Sequence, residues 1–335
     1  MSELFVPKGY KSSLSVYETQ IAIGRIKRIF EEKLSLALNI SRVSAPLFVE
    51  PHTGLNDDLS GGERPVEFEI KQTMKNAQVV QSLAKWKRAA LGNYQFPMGS
   101  GLYTDMNAIR RDDKMDNIHS IYVDQWDWEK VIDKASRNMG FLKETVTAIV
   151  NAICDTAEAI KEQFPVLKTS LSRDVVFITT QELEDAYPDS TPKERENAFL
   201  KEHKTAFLMQ IGGVLKSGSK HDDRAPDYDD WSLNGDIMFW NDLLGCAFEL
   251  SSMGIRVDEK SLDYQLKESG CDKRRELLYH KKLLAGELPL SIGGGIGQSR
   301  LCMLLLEKVH IGEVQVSVWD NNTIDLCEAA GVKLL

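Results

Sequence analysis

Gly293, Gly294, Gly295 and Gly297 fall within the stretch Ser291-Ile292-Gly293-Gly294-Gly295-Ile296-Gly297-Gln298-Ser299-Arg300, which runs straight into Leu301-Cys302-Met303-Leu304-Leu305-Leu306. Glycine at this density lets a backbone pass where side chains would collide. The apolar run behind it predicts a buried helix beginning near Gly297. A glycine-rich turn that opens a helix presents unpaired N–H groups and a positive dipole end, which suits an anion such as phosphate. Arg300, one turn inside, would add a fixed positive charge. A packing turn closed by an arginine ion pair would have the same composition. Two familiar phosphate loops fail against this pattern. The Walker type needs Gly-Lys-Ser/Thr, which is absent. The dinucleotide type fails because Gly295-x-Gly297-x-x closes on Arg300, and too little chain follows to build that fold. The loop therefore belongs to another kind of nucleotide fold.

Composition excludes several classes. With 335 residues, 42% hydrophobic and 27% charged, the chain resembles an ordinary globular enzyme. No apolar run approaches the roughly 18 residues of a membrane span. Residues 1–8 lack the charged-then-apolar pattern of a secretory signal. The cysteines Cys154, Cys246, Cys271, Cys302 and Cys327 are scattered and form no CxxC pair, which argues for free thiols and against structural zinc. A net charge of −9 opposes extensive non-specific nucleic-acid binding. These features together predict a cytoplasmic protein with no membrane and no nucleic-acid partner. Repeats and proline-rich linkers are absent, so residues 1–335 read as a single catalytic domain.

Periodicity gives the layout. Apolar residues at helical spacing predict a helix over 16–38, followed by a strand over 40–48 that Pro46 confines to an edge or an interface. Val66, Phe68 and Ile70 alternate with glutamates as in a half-buried strand. Residues 77–83 predict another strand, and a basic helix starts at Ala84. Residues 102–110 and 119–128 read as a hairpin across a polar loop, 111–117. A long helix over 137–163 is followed by strands over 175–180 and 206–211, with a helix over 191–203 between them. Strands over 237–240 and 247–251 complete the pattern. Hairpins outnumber crossovers, which predicts an α+β fold with a large antiparallel sheet flanked by helices.

Four stretches carry chemistry. The segment His221-Asp222-Asp223-Arg224-Ala225-Pro226-Asp227-Tyr228-Asp229-Asp230-Trp231 is too rich in proline and aromatics for a merely solvating loop, and it does not fit an EF-hand. Asp236 and Glu249 lie on successive strands, where two carboxylates are costly without a cation between them. Mg²⁺ bridged to substrate phosphates fits, as do ion pairs with Arg224 and Arg256. In Val123-Asp124-Gln125-Trp126-Asp127-Trp128, alternation sends Val123, Gln125 and Asp127 to one face and Asp124, Trp126 and Trp128 to the other. Buried Gln125 and Asp127 would cost roughly 2–7 kcal/mol each if unpartnered, so they should bind something. Asp57-Asp58-Leu59-Ser60-Gly61-Gly62 reads as an acidic turn, and Lys85 and Lys87 flank Trp86 on what reads as a surface helix.

The order of helix and proline-terminated strand, arginine-bearing hairpin, carboxylate strand and glycine-rich segment ending in arginine resembles the class II aminoacyl-tRNA synthetase fold. Several blocks are similar to the ammonia-dependent asparagine synthetases (aspartate–ammonia ligases): Ser82-Leu83-Ala84-Lys85-Trp86-Lys87-Arg88, residues 122–129, 224–231, 249–256 and 293–300. The resemblance implies synthesis of L-asparagine from L-aspartate, ATP and ammonia through a β-aspartyl-adenylate, with AMP and pyrophosphate released. It implies that Arg110 holds the α-phosphate, that Arg224 lies beside the phosphates with Gly295 in the ATP site, and that Arg300 pairs with the γ-phosphate. Asp236 and Glu249 would hold Mg²⁺, with Ser252 nearby. Asp57, Gln125 and Asp127 would accept the α-ammonium of aspartate, Ser82 and Lys87 would engage a carboxylate, and Asp229 would orient substrate or ammonia. A tRNA ligase would need a further nucleic-acid-binding domain, and a glutamine-dependent synthetase a cysteine where Ser2 stands. A homodimer is expected through Pro46 and the preceding helix. The alternatives are a ligase that activates aspartate for another acceptor and a non-catalytic binding paralogue. The presence of Arg110, Arg300, Asp236 and Glu249 counts against the second.

Overall fold

The computed structural model describes residues 4–57, 59 and 62–335. In chain order the elements are α1 (Val16–Leu38), β1 (Ile40–Arg42), β2 (Phe48–Val49), β3 (Glu67–Ile70), β4 (Lys75–Val79), α2 (Ala84–Asn93), β5 (Gly101–Ile109) and β6 (Tyr122–Val131). There follow α3 (Met139–Gln163), β7 (Val176–Thr179), α4 (Thr180–Ala186), α5 (Pro192–His203), β8 (Thr205–Met209), β9 (Asp229–Asn241) and β10 (Cys246–Arg256). The chain ends with α6 (Glu259–Glu268), α7 (Leu278–Leu284), β11 (Ser291–Gly297), α8 (Gln298–Leu305) and α9 (Asn321–Ala329).

Eight strands form one sheet in the order β1-β5-β6-β11-β10-β9-β8-β7. Its interior is antiparallel, while the outermost pairs, β1 with β5 and β7 with β8, run parallel. The α+β class holds, with a mixed sheet in place of a purely antiparallel one. One face packs on α1, α3 and α8, where Ile26, Phe30, Leu34, Ile149, Ile153 and Leu301 meet Trp126 and Trp128 in the main apolar core. Phe30 tilts onto Trp126 with ring centroids 4.7 Å apart. The opposite face carries Gln125 and Asp127 at its centre, between apolar clusters packed under α2 on one side and under α4 and α5 on the other.

Local signals explain most boundaries. Ser15 caps α1 and exchanges hydrogen bonds with Glu18, and Asn39 ends the helix in the left-handed conformation. Thr191 caps α5 in the same way through Glu194, with Pro192 in the first turn, where its missing N–H costs nothing. The predicted strand over 40–48 is in fact two. Ile40–Arg42 pairs with β5, and Phe48–Val49 joins a separate three-stranded sheet, β2-β4-β3. Pro46, which cannot donate to a ladder, lies in the break. β3 is exposed rather than half-buried, and Phe68 packs edge-on against the equally exposed Phe48. β9 and β10 are much longer than their apolar cores predicted, and Asp229 and Asp230 open β9 instead of sitting in a loop.

The glycine stretch is the main correction. Ser291–Gly297 is a strand, not a turn, and passes directly into α8 at Gly297. It lies between β6 and β10, where side chains from both neighbours reach across it. A Cβ on Gly293 would lie 2.0 Å from Glu129 Oε2, and one on Gly294 2.5 Å from Met253 Cβ. A Cβ on Gly295 would come within 2.4 Å of Gln125 Oε1 and 2.7 Å of Asp127 Oδ1. The glycines are there for close approach, not for a turn.

Candidate active site

The polar face of the sheet floors a cavity of about 660 Å³. Asp57, Ser82, Lys87, Arg110, Gln125, Asp127, Arg224, Asp229, Glu249, Ser252, Gly295 and Arg300 all line it. Asp236 does not. It reaches the site through Arg224, a lining residue with which it is paired. Asp58, Ser60 and Gly61 of the acidic turn, like Ser2, lie outside the described residues.

At one end the register of β6 on β11 sets Gln125 opposite Gly297 and Asp127 opposite Gly295. Helix α2 brings Lys87 over the glycine strand, where its Nζ donates to Asp127 Oδ1 at 3.0 Å and to Gly294 O at 2.8 Å. Lys87 is fully buried rather than surface-facing, and burial lowers its pKa against the pull of Asp127. Asp127 Oδ2 is buried and has no hydrogen-bond partner among the described residues. An acceptor in that state costs about 1–3 kcal/mol until a donor reaches it. Ser82 lies two residues before α2, its Oγ accepting from Ala84 N at 3.1 Å.

Beneath this end lies a charge cluster whose arrangement the sequence did not reveal. Arg256 on β10 grips Glu129 through Nε to Oε1 at 2.9 Å and Nη2 to Oε2 at 2.7 Å. Its Nη1 pairs with Asp229. Ser291 adds a hydrogen bond to Glu129 at 2.7 Å. Against its burial, Arg256 and Lys87 hold the Glu129 carboxyl down, whereas burial pushes Asp229 up against the same arginine. Asp229 is thus committed to Arg256 while still facing the cavity.

At the other end the charges are arginines. Arg300, in the first turn of α8, donates to Glu249 O at 2.9 Å and lies 3.4 Å from its carboxylate. Arg224 pairs with Asp236. Arg110 follows β5 and touches Gln81 O through Nε at 3.4 Å, which leaves much of the guanidinium for a ligand. Register puts Glu249 opposite Met238, two residues from Asp236 on β9, so both carboxylates share one face, and a bulge at Leu250 brings Ser252 rather than Ser251 opposite Asp236. Burial, then Glu249 and Asp222, push the Asp236 carboxyl up against Arg224. Against burial, Arg300 and Arg224 hold Glu249 down at about 2. Of the ion pairs predicted for these acids, Arg224 with Asp236 is made, while Arg256 is taken by Glu129 and Asp229. Among the described residues no group of three or more His, Cys, Asp or Glu is arranged to hold a metal.

The Asp-rich segment is a series of anchors. Asp227 accepts from Lys85, Arg274 and His280, Asp229 pairs with Arg256, and Asp230 pairs with Arg137. Gln265 of α6 clips the segment from behind by donating to Pro226 O and Asp229 O, each at 2.9 Å. The acids fix a backbone path and so present Arg224, Tyr228 and Asp229 to the cavity.

The chain that builds this cavity is similar to known proteins. The model of the "Aspartate-ammonia ligase" family matches residues 17–331. The chain is 58% identical to the aspartate–ammonia ligase of Clostridium perfringens, over 100% of both chains. It is 58% identical to that of Clostridium tetani, covering 99% of this chain and 98% of the relative. Among solved structures, Entamoeba histolytica asparaginyl-tRNA synthetase in complex with asparaginyl-adenylate superposes with a TM-score of 0.64 at 14% identity. That match covers 90% of this chain, which spans 66% of the synthetase. The Pyrococcus horikoshii asparaginyl-tRNA synthetase gives 0.62 at 18% identity, over 88% of this chain and 68% of the other. The fold is therefore that of the class II aminoacyl-tRNA synthetases, and the chain belongs to the aspartate–ammonia ligase family of enzymes.

Proposed function

We propose that the chain forms L-asparagine from L-aspartate, ammonia and ATP in two steps at this cavity. In the first, a β-carboxylate oxygen of aspartate bonds to the α-phosphorus of ATP as the bond to pyrophosphate breaks. In the second, ammonia attacks the activated carbonyl, AMP leaves and the excess proton is released. The observation that carries this reading is the division of one cavity into an arginine end and a carboxylate end, joined across Gly295. An amino acid and a triphosphate bound there would meet at the middle. The protein's contribution is placement and charge. Asp57, Gln125 and the open Oδ2 of Asp127 receive the α-ammonium, while Ser82 and Lys87 meet a carboxylate, Lys87 sharing its charge with Asp127. Asp229 orients aspartate or ammonia from its place beside Arg256. Arg110 stabilises the α-phosphate, Arg224 lies beside the chain of phosphates, and Arg300 takes the γ-phosphate.

Mg²⁺ would neutralise phosphate charge in this site. Asp236 and Glu249 suit it, since burial crowds two acids on one face and phosphate oxygens complete such a site. Ser252 stands opposite Asp236. Arg224, paired with Asp236 here, would then be left to meet the phosphates. We read residues 1–335 as one catalytic domain, since Leu14 and Val332 share a single apolar core. A cytoplasmic homodimer through Pro46 and the preceding helix α1 completes the reading. Tyr17, Leu36 and Leu47 are more than half exposed there, and no described helix is long and apolar enough to cross a membrane.

The test is AMP formation from ATP and aspartate, with and without ammonium, and with glutamine as a competing donor. Asparagine formed with ammonium and not with glutamine supports the reading. Pyrophosphate exchange without asparagine would move it to a ligase serving another acceptor.

A further inference from the structure

Asp227 lies outside the reaction just described, yet burying its charge carries a desolvation cost that its partners must offset. It is fully buried, as are Lys85 at 3% exposure and His280 at 0%. Lys85 Nζ at 3.1 Å, Arg274 Nη1 at 2.9 Å and His280 Nε2 at 2.8 Å all donate to Oδ2. Because a carboxylate only accepts, His280 must carry its proton on Nε2. Oδ1 of Asp227 and Nδ1 of His280 are buried without hydrogen-bond partners among the described residues. Apolar residues of the same volume would often be as stable or more so, and the best-attested use of such a cluster is to fix one register.

The three donors come from separate elements: α2, the short 3-10 turn Asp272–Glu276, and α7. All are drawn to the segment that carries Arg224, Tyr228 and Asp229. Lys85 and Lys87 are two residues apart on α2, about 200° around the helix. One therefore ties α2 to that segment while the other ties it to β6 and β11. Helix α7 also packs on the turn leading to Asp57: a Cβ on Gly54 would sit 2.8 Å from Leu277 Cβ and 3.3 Å from His280 Nδ1.

We infer that Asp227 is a positioning residue, which through Lys85 and His280 sets the distance between the Lys87 wall and the Arg224–Asp229 wall of the cavity. The inference rests on the two-step reaction above, whose first step needs the aspartate and phosphate ends held at one spacing. Misplacement of reacting groups by about 1 Å can cost on the order of 100-fold in rate. Loss of the tie should then lower turnover more than affinity.

The test uses the full chain with Lys85→Met, Lys85→Arg and Asp227→Asn. Aspartate-dependent AMP formation with ammonium is normalised to folded protein by near-ultraviolet circular dichroism. The expected result for Lys85→Met is a kcat lowered at least tenfold, with KM for ATP and for aspartate each within about threefold of wild type. Lys85→Arg should recover most of the rate, and Asp227→Asn, where it folds, should behave like Lys85→Met. A purely structural cluster would lower the melting temperature and leave kcat per folded molecule within twofold, and that result overturns the inference. So does a Lys85→Arg protein no faster than Lys85→Met. A wild-type protein that makes no AMP overturns the reaction and this inference together, whereas an active wild type beside an unimpaired Lys85→Met overturns the inference alone.

Discussion

Arg300 is where the side-chain chemistry is most exposed to a single test. Its guanidinium rests on Glu249, and the proposed reaction moves it onto phosphate. Arg300→Ala should cost about 2–4 kcal/mol of transition-state stabilisation in adenylate formation, read as pyrophosphate exchange, with little change in melting temperature. Near-normal exchange would contradict its role. His310 makes a prediction about pH. It is buried, its Nδ1 accepts from Gly312 N at 3.0 Å, and burial lowers its pKa to about 4. The unfolded chain protonates this imidazole near its ordinary 6.5, whereas the folded chain does so only near 4. Stability is therefore complete above pH 6.5 and lost as pH falls toward 4, by up to about 3 kcal/mol at 1.36 kcal/mol per pH unit. In His310→Gln the fall in melting temperature between pH 7 and pH 5 should shrink, and an unchanged slope would assign the acid loss elsewhere. At this scale the sequence was most readable where a side chain's face follows from strand alternation, as for Gln125 and Asp127. It was least readable for Asp227, whose partners Lys85, Arg274 and His280 are 142, 47 and 53 residues away. No spacing rule connects groups that only the tertiary fold brings together.

Strand β11 tests the argument for an element. Its glycines were legible as a need for close approach but not as a strand, because what approaches comes from β6 and β10. The two kinds of neighbour predict two kinds of damage. At Gly294 the obstacles are Met253 Cβ at 2.5 Å and Ser252 O at 2.8 Å, close to or part of the backbone. Gly294→Ala should therefore cost about 1–3 kcal/mol of stability, measured by denaturant unfolding. At Gly295 the obstacles are the ends of Gln125 and Asp127, which can swing aside. Gly295→Ala should fold nearly as well and raise KM for aspartate by tenfold or more. If both variants lose stability equally, Gln125 and Asp127 are rigid parts of the floor rather than ligand groups. The neighbouring strands show the opposite difficulty. The short apolar cores of β9 and β10 marked their middles, while acids such as Asp229 concealed their ends, since charge paired across a sheet looks like loop charge in a sequence.

For the whole molecule, the proposed dimer gives the broadest prediction. The 37.7 kDa chain should sediment at twice its mass, and Leu36→Asp with Leu47→Asp should yield monomers with weakened activity. A wild-type monomer that is fully active would remove α1 and Pro46 from any such role. Fold class was legible because long amphipathic helices and alternating strands are local signals. Strand order was not, since it depends on pairings between distant parts of the chain. That order also has a consequence during synthesis. Glu129 on β6 and its partner Ser291 on β11 are separated by 162 residues. At ribosomal rates of roughly 5–20 residues per second, β6 emerges roughly 8–30 s before the strand that completes its inner edge. For that interval one ladder of β6 is open, while α1, α3 and the core residues of β8 to β10 become available in turn to cover Trp126 and Trp128. The edge of β6 that β11 completes thus stays open until the glycine strand arrives.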